Sequence, residues 1–167
     1  MKIINHSSTR KRLQIGVIGG REVSDACLQD AKEVGKLIAE HDAVLLCGGL
    51  GGVMEAACRG AKSANGLTVG ILPVTDAKEA NSFVDIVIPT GLGIARNAVI
   101  VQASNGVIAV GGKYGTLSEM AFALQTGIPV VSLKSWDVDE KVLKADTAGE
   151  AVELLFKQIR KKSPRSK

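Results

Sequence analysis

Two charged side chains in this chain, Arg96 and Glu119, stand at helix starts where ligand chemistry is one reason for them. The segment Gly93-Ile94-Ala95-Arg96-Asn97-Ala98-Val99-Ile100-Val101 is apolar apart from Arg96 and Asn97, both near the start of its helical pattern. A cation there opposes the helix dipole unless an anion lies close. A guanidinium grips phosphate or carboxylate through two parallel hydrogen bonds, so Arg96 reads as a contact to a ligand phosphate or as the group that orients a carboxylate. The carboxylate is Glu119, which follows the glycine-rich turn Gly111-Gly112-Lys113-Tyr114-Gly115-Thr116. An apolar strand, a glycine turn and a helix start make up a phosphate cradle. The glycines allow the tight bend, and the unpaired N–H groups of the helix that Thr116 opens attract an anion.

Each of these residues also has a purely structural reading. Thr116-Leu117-Ser118-Glu119 has the spacing of a capping box, in which Glu119 would fold back onto the Thr116 N–H, and Thr147-Ala148-Gly149-Glu150 repeats that spacing away from any site. Lys113 adds positive charge to a phosphate or reaches solvent, and Tyr114 stacks on a heterocycle or covers the turn. A second glycine run, Gly48 to Gly52, leads into a helix with Glu55 in its first turn, where a carboxylate gains ~0.3–1 kcal/mol from the dipole alone. Met54 and Phe122 fit helical apolar patterns and read as core.

The elements that must position these groups alternate along the chain. Strands are expected at Gln14–Ile18, Ala43–Cys47, Thr68–Leu72, Ile86–Ile88, Val107–Val110 and Val130–Leu133. Helices are expected at Asp25–Glu40, Gly52–Ala64, Ile94–Ser104, Leu117–Gln125 and, capped by Thr147, Ala148–Lys161, and the polar link from Thr75 to Ser82 could act as a flap. Strands joined by helical crossovers imply an α/β fold: a single doubly wound, Rossmann-like parallel sheet with helices on both faces and its ligand site at the carboxyl ends of the strands. The glycines cluster at those ends. Gly19 and Gly20 follow the first strand, Gly48, Gly49 and Gly52 the second, Gly91 and Gly93 the fourth, and Gly111, Gly112 and Gly115 the fifth.

Composition bounds the rest. A chain of 167 residues, 46% hydrophobic with 3% aromatics and 19 glycines, suits one Val/Ile/Leu/Ala core. The net charge of +4 is unevenly spread: residues 1–12 carry +4 and the last eleven +6, which leaves −6 between them. A mildly acidic body is a poor duplex-binding surface, so the reading is a basic N-terminal tail (1–12), a nucleotide- or phosphate-binding domain (13–161) and a basic C-terminal tail (162–167), without nucleic acid as a partner. No apolar run is long enough to span a bilayer and no signal peptide is evident, which points to a cytoplasmic protein. Cys27, Cys47 and Cys58 lack metal-ligand spacing and read as reduced core residues, with Cys47, just before Gly48 at a strand end, the candidate for a reactive thiol. The two histidines, His6 and His41, form no cluster, so no metal site is expected.

Standard nucleotide fingerprints do not fit. Gly49-Leu50-Gly51 lacks the third glycine of the dinucleotide motif, since Met54 stands there, and Lys113 is followed by Tyr114 rather than Ser or Thr. Cys47-Gly48-Gly49-Leu50-Gly51-Gly52-Val53-Met54 and Gly111-Gly112-Lys113-Tyr114-Gly115-Thr116-Leu117-Ser118-Glu119 instead resemble the paired motifs of the LOG superfamily. That superfamily includes cytokinin-activating phosphoribohydrolases, which cleave the N-glycosidic bond of nucleoside 5′-monophosphates, and a branch similar to molybdenum cofactor carrier proteins. Some members have carried a lysine decarboxylase label, for which no residue here gives support. The hydrolase motif reads Pro-Gly-Gly-x-Gly-Thr-x-x-Glu, so Gly111 stands at its proline, Lys113 at its second glycine and Glu119 at its acid, and the Arg-Lys pair of the hydrolases is Arg96-Asn97 here. The phrase GGKYGTLSEMAFALQTGIPVV resembles the carrier branch more closely.

The expectation is a binding protein for a phosphorylated, nucleotide-like ligand: a nucleoside monophosphate or a molybdenum-cofactor-type pterin. No cofactor is required, and bound nucleotide, phosphate or molybdenum cofactor is what the cleft would hold. Gly112, Gly115 and Thr116 would supply donors, with Arg96 neutralising phosphate. The alternative is a phosphoribohydrolase in which an ionised Glu119 stabilises the developing sugar cation or activates water. A third reading is an assembly module that keeps no ligand. Apolar helices at Ile94–Val101 and Met120–Leu124 point to a homo-oligomer, a dimer or tetramer.

Overall fold

The computed structural model describes residues 11–162. Seven strands form one sheet in the order β4-β3-β2-β1-β5-β6-β7, and every pairing is parallel. They are β1 (Gln14–Gly19), β2 (Val44–Cys47), β3 (Thr68–Leu72), β4 (Ile86–Pro89), β5 (Gly106–Val110), β6 (Val130–Leu133) and β7 (Leu143–Ala145). The helices are α1 (Asp25–Glu40), α2 (Val53–Ser63), α3 (Arg96–Gln102), α4 (Tyr114–Thr126) and α5 (Ala148–Lys162). The doubly wound α/β architecture follows from the sequence alternation, because central strands buried on both faces must be almost wholly apolar, as Ile15 to Ile18 and Val107 to Val110 are.

The helices divide between the two faces. α1, α2 and α5 cover one, over a core built on Ile15, Val17, Leu45, Cys47, Leu72, Ile108, Val110 and Leu133. The shorter α3 and α4 cover the other, over Ile18, Leu46, Ile71, Val107 and Ala109. Alternate residues of one strand feed the two cores, the period-two geometry of a pleated strand. α1 and α2 cross at very short range: a β-carbon on Gly35 would fall 1.9 Å from the Ala57 carbonyl oxygen, and one on Gly60 would fall 1.8 Å from that of Lys32.

Strand order sets where the chain reverses. From β1 it winds outward through β2 and β3 to the edge strand β4, then returns through α3 to place β5 on the other side of β1, paired Ile15 with Gly106 through Gly19 with Val110. The crevice of a doubly wound sheet opens at such a switch point, between the carboxyl ends of β1 and β5.

Several boundaries differ from the sequence reading. β7 was not foreseen; a three-residue edge strand with exposed Lys144 carries too little pattern to announce itself. α4 begins at Tyr114, two residues before Thr116, so Thr116 lies inside the first turn and does not cap it. The glycine ends of β2 and β5 are not neighbours, because β1 runs between them. Phe122 is not core: it is exposed on the outer face of α4, while Met54 is buried as expected. Of the basic ends, residues 1–10 and 163–167 lie outside the described residues. Arg12 is ion-paired with Asp42 at 2.6 Å, and Lys162 ends α5 with its ammonium donating to the Gly127 carbonyl. Among the described residues no helix is long and apolar enough to cross a membrane.

The Thr75–Ser82 link is pinned at its far end. Asn81 donates through its backbone N–H to the Gly49 carbonyl at 2.9 Å, and through Nδ2 to the carbonyls of Gly49 and Leu50 at 3.2 and 2.9 Å. It thereby braces the turn after β2.

Candidate functional site

A cavity of about 430 Å³ opens at the switch point. The end of β1 brings Gly19, Gly20, Arg21 and Glu22; the end of β2 brings Gly48; the turn after β5 and the start of α4 bring Lys113, Gly115, Thr116 and Glu119; the crossover from β4 brings Gly93, Ile94, Arg96 and Asn97. Met54 and Pro73 complete an apolar wall. Of the residues singled out from sequence, Gly19, Gly20, Gly48, Arg96, Asn97, Lys113, Gly115, Thr116 and Glu119 therefore line one space.

The others stand behind it. Gly49 backs onto Gly70, and Gly52 (φ 68°) lets the turn before α2 pass against the backbone of Gly20 and Arg21. Gly111 and Gly112 take positive φ angles of 53° and 95°, which turn the chain from β5 into α4. Tyr114 is 79% exposed and stacks on Trp136, with ring centroids 6.1 Å apart, so it covers the turn rather than reaching into the cavity. Glu55 is ion-paired with Arg59 on the α2 face.

Arg96 is 8% exposed. Its Nη1 donates to the Ile71 carbonyl at the end of β3, while its Nε is buried with no hydrogen-bond partner among the described residues. Burial draws its pKa below the ordinary guanidinium value, opposed by the field of Glu119. Gly48 makes room for it: a β-carbon there would stand 2.2 Å from Nη1. A buried guanidinium with an unused donor is costly unless a ligand or water completes it.

Glu119 is 7% exposed and lies in the second turn of α4. Burial raises its pKa to about 8, only partly offset by Arg96, so Glu119 is protonated at neutral pH. The capping-box spacing has two outcomes in this chain. At Thr147 the cap forms, with the Glu150 N–H donating to Thr147 Oγ1 at 3.2 Å, and Glu150 Oε2 reaches back past the cap to accept the Asp146 N–H at 2.9 Å. At Thr116 it does not, because α4 has already begun, and Glu119 faces the cavity instead.

The remaining polar groups hold the frame. Asn97 Nδ2 reaches Ser118 Oγ at 3.2 Å and the Gly115 carbonyl at 3.4 Å, tying α3 to the first turn of α4. Lys113 pairs with Glu22 at 3.2 Å across the mouth, joining the β1–α1 loop to the β5–α4 turn. Three cations thus border the cavity, Arg21, Arg96 and Lys113. Its acids are Glu22, engaged by Lys113, and Glu119, neutral. The first N–H groups of α4 have no intrahelical acceptors, and Gly115 and Thr116 line the cavity at that end. The space suits an anionic group at one end and a flat or apolar body against Met54, Pro73 and Ile94.

Sequence reasoning missed Arg21, Glu22, Met54, Pro73 and Ile94 as lining residues. Arg21 carried a signal, since it directly follows Gly19-Gly20 at the first βα turn; the others are placed by strand order, which no local motif reveals.

Comparison with known proteins places the fold and the family. The chain is 51% identical over 142 residues to an uncharacterised protein of Archaeoglobus fulgidus, covering 85% of this chain and 93% of that one. The structure superposes on the molybdenum cofactor binding protein from the phototrophic bacterium Rippkaea orientalis with a TM-score of 0.85 and 40% identity, covering 89% of this chain and 98% of that one. It also superposes on the molybdenum cofactor carrier protein of Chlamydomonas reinhardtii with a TM-score of 0.83 and 38% identity, covering 91% and 100%. Residues 12–162 match the SLOG cluster4 family, and the chain belongs to that family, near the molybdenum cofactor carrier branch of the LOG-like proteins.

Proposed function

We propose that this protein binds a phosphorylated heterocyclic small molecule, a molybdenum-cofactor-type pterin or a nucleoside monophosphate, with its phosphate at the α4 N-terminus and its ring system toward Met54 and Ile94. The observation that carries the reading is the buried, unpartnered Nε of Arg96, a residue that lines the same cavity as Gly115 and Thr116 in the first turn of α4. The protonated Glu119 supports it, because a neutral carboxyl leaves the cavity with a positive balance and can itself donate to a ligand oxygen. Two solved structures named for molybdenum cofactor binding or carriage, at 38–40% identity, favour the pterin.

The hydrolase reading keeps one specific support, a titratable glutamate in the cavity, but the ionised form it requires is the minor one at neutral pH. Calorimetry with inorganic phosphate, nucleoside monophosphates and isolated pterin cofactor tests the proposal. Saturable binding to at least one, weakened about tenfold to a hundredfold in Arg96→Ala, is expected from loss of a charge-assisted hydrogen bond. Indifference to all of them overturns it. Chromatography of nucleoside monophosphates after incubation decides the alternative: release of free base that Glu119→Gln abolishes would make the protein an enzyme.

Self-association is part of the proposal. The outer faces of α3 and α4 expose Val99, Gln102, Tyr114, Ala121, Phe122, Gln125 and Thr126, with no charged side chain among them. Ile94, 74% exposed at the cavity lip, continues that face. A second copy is the occupant this surface fits.

A further inference from the structure

Cys47 and Cys58 are both fully buried, and their sulfurs lie 3.5 Å apart across the interface between the end of β2 and the middle of α2. Cys47 Sγ also accepts the Gly49 N–H at 3.3 Å. The pair is asymmetric. Cys58 is held well above the ordinary thiol range by its contact with Cys47 and by burial, while the hydrogen bonds to Cys47 and the nearby Arg96 guanidinium favour the Cys47 thiolate. Cys27, the third free cysteine, belongs to α1 and packs beside Gly111. Nothing in the anion-binding cavity uses these thiols, and Cys47 is separated from it by one residue, Gly48.

We infer that Cys47 and Cys58 form an intramolecular disulfide-forming site that reacts with low-molecular-weight disulfides. The Cys47 thiolate attacks one sulfur of the small disulfide, forming a mixed disulfide and expelling one small thiolate. Cys58 then gives up its proton and attacks the Cys47 sulfur, and the second small thiol leaves. Two protein thiols are oxidised and one small disulfide is reduced to two thiols, so atoms and electrons balance. Ordering is set by the contact: the Gly49 N–H and Arg96 favour thiolate at Cys47, and Cys58 is already within reach as the resolving thiol. Access requires the turn after β2 to open, the same turn that Asn81 closes.

The inference is independent of what the cavity binds and is tested without a cavity ligand. The folded, reduced full chain is incubated with glutathione disulfide, quenched in acid, alkylated in denaturant and digested with trypsin. Residues 37–59 fall in one tryptic peptide that carries both Cys47 and Cys58. The expected product is that peptide lighter by about two hydrogens, unalkylated, with Cys27 fully alkylated. In Cys58→Ser the reaction should stop at glutathione attached to Cys47; if that variant does not fold, Cys27→Ala should still form the wild-type crosslink. Complete alkylation of all three cysteines after prolonged incubation, glutathione on Cys27 alone, or a crosslink that includes Cys27 would overturn the inference.

Discussion

Glu119→Gln isolates the electrostatic claim on which the cavity rests. Glutamine matches glutamate in size and keeps a hydrogen-bonding group in the cavity, but it cannot ionise. In the unfolded chain Glu119 titrates near its ordinary value of 4.5, and in the folded protein near 8. Between those values the folded state retains a proton that the unfolded state has released. Raising the pH through this window therefore destabilises the native protein, by at most about 1.4 kcal/mol per pH unit and a few kcal/mol in all. Urea denaturation of wild type and Glu119→Gln at half-unit steps from pH 5 to 8 reads this directly, because every other titrating group cancels in the difference. The variant should gain on the wild type steadily as the pH rises and most of the gain should be in place by pH 8. A difference that stays flat across the window would refute the burial argument and leave Glu119 an ordinary carboxylate.

Four further outcomes are expected. Gly48→Ala places a methyl 2.2 Å from Arg96 Nη1 and 2.6 Å from Met54 Sδ, so it should displace the guanidinium and weaken phosphate binding in calorimetry while circular dichroism shows the fold retained. Gly35→Ala drives a methyl into the Ala57 carbonyl oxygen at 1.9 Å, where backbone must move; chemical denaturation should show a loss of about 1–3 kcal/mol or more. Asp85, although burial works upward on its pKa, is held below the ordinary range by Lys62 and by the N–H and hydroxyl of Thr68; Asp85→Asn should lose about 1–3 kcal/mol at pH 7, and the difference from wild type should vanish as the pH falls through the depressed carboxyl pKa. A charge at the centre of the apolar face, Val99→Glu, should reduce the oligomeric mass in light scattering with the cavity intact, and an unchanged mass would place the interface elsewhere.

Much of this architecture was legible because local and global signals agree. Asp25–Glu40 was read to its ends, since Ser24 supplies an N-cap, with its hydroxyl accepting the Cys27 N–H at 3.3 Å, and an amphipathic pattern follows. Six of the seven strands are short apolar runs between turn residues, and Gly127, in the left-handed conformation at φ 71°, ends α4 as a C-terminal glycine does. Strand order was not legible. Gly48 and Gly115 both follow apolar strands, but nothing local shows that β1 lies between those strands or that the returning crossover carrying Ile94 and Arg96 completes the pocket. The start of α4 was misplaced for a related reason: Thr116 has the residue type of a cap, but positive φ at Gly111 and Gly112 turns the chain early and the helix begins at Tyr114. That two-residue shift frees Glu119 from a capping role and gives it to the cavity.

The central claim is that Arg96 and the first turn of α4 form one anion site. Its most direct test is a crystal structure of the protein grown with tungstate, whose density identifies the anion without ambiguity. The account predicts an oxygen of that anion within hydrogen-bonding distance of Arg96 Nε and of the amide groups of Gly115 or Thr116. An anion bound elsewhere at saturating concentration, with Arg96 still turned only to the Ile71 carbonyl, would contradict it.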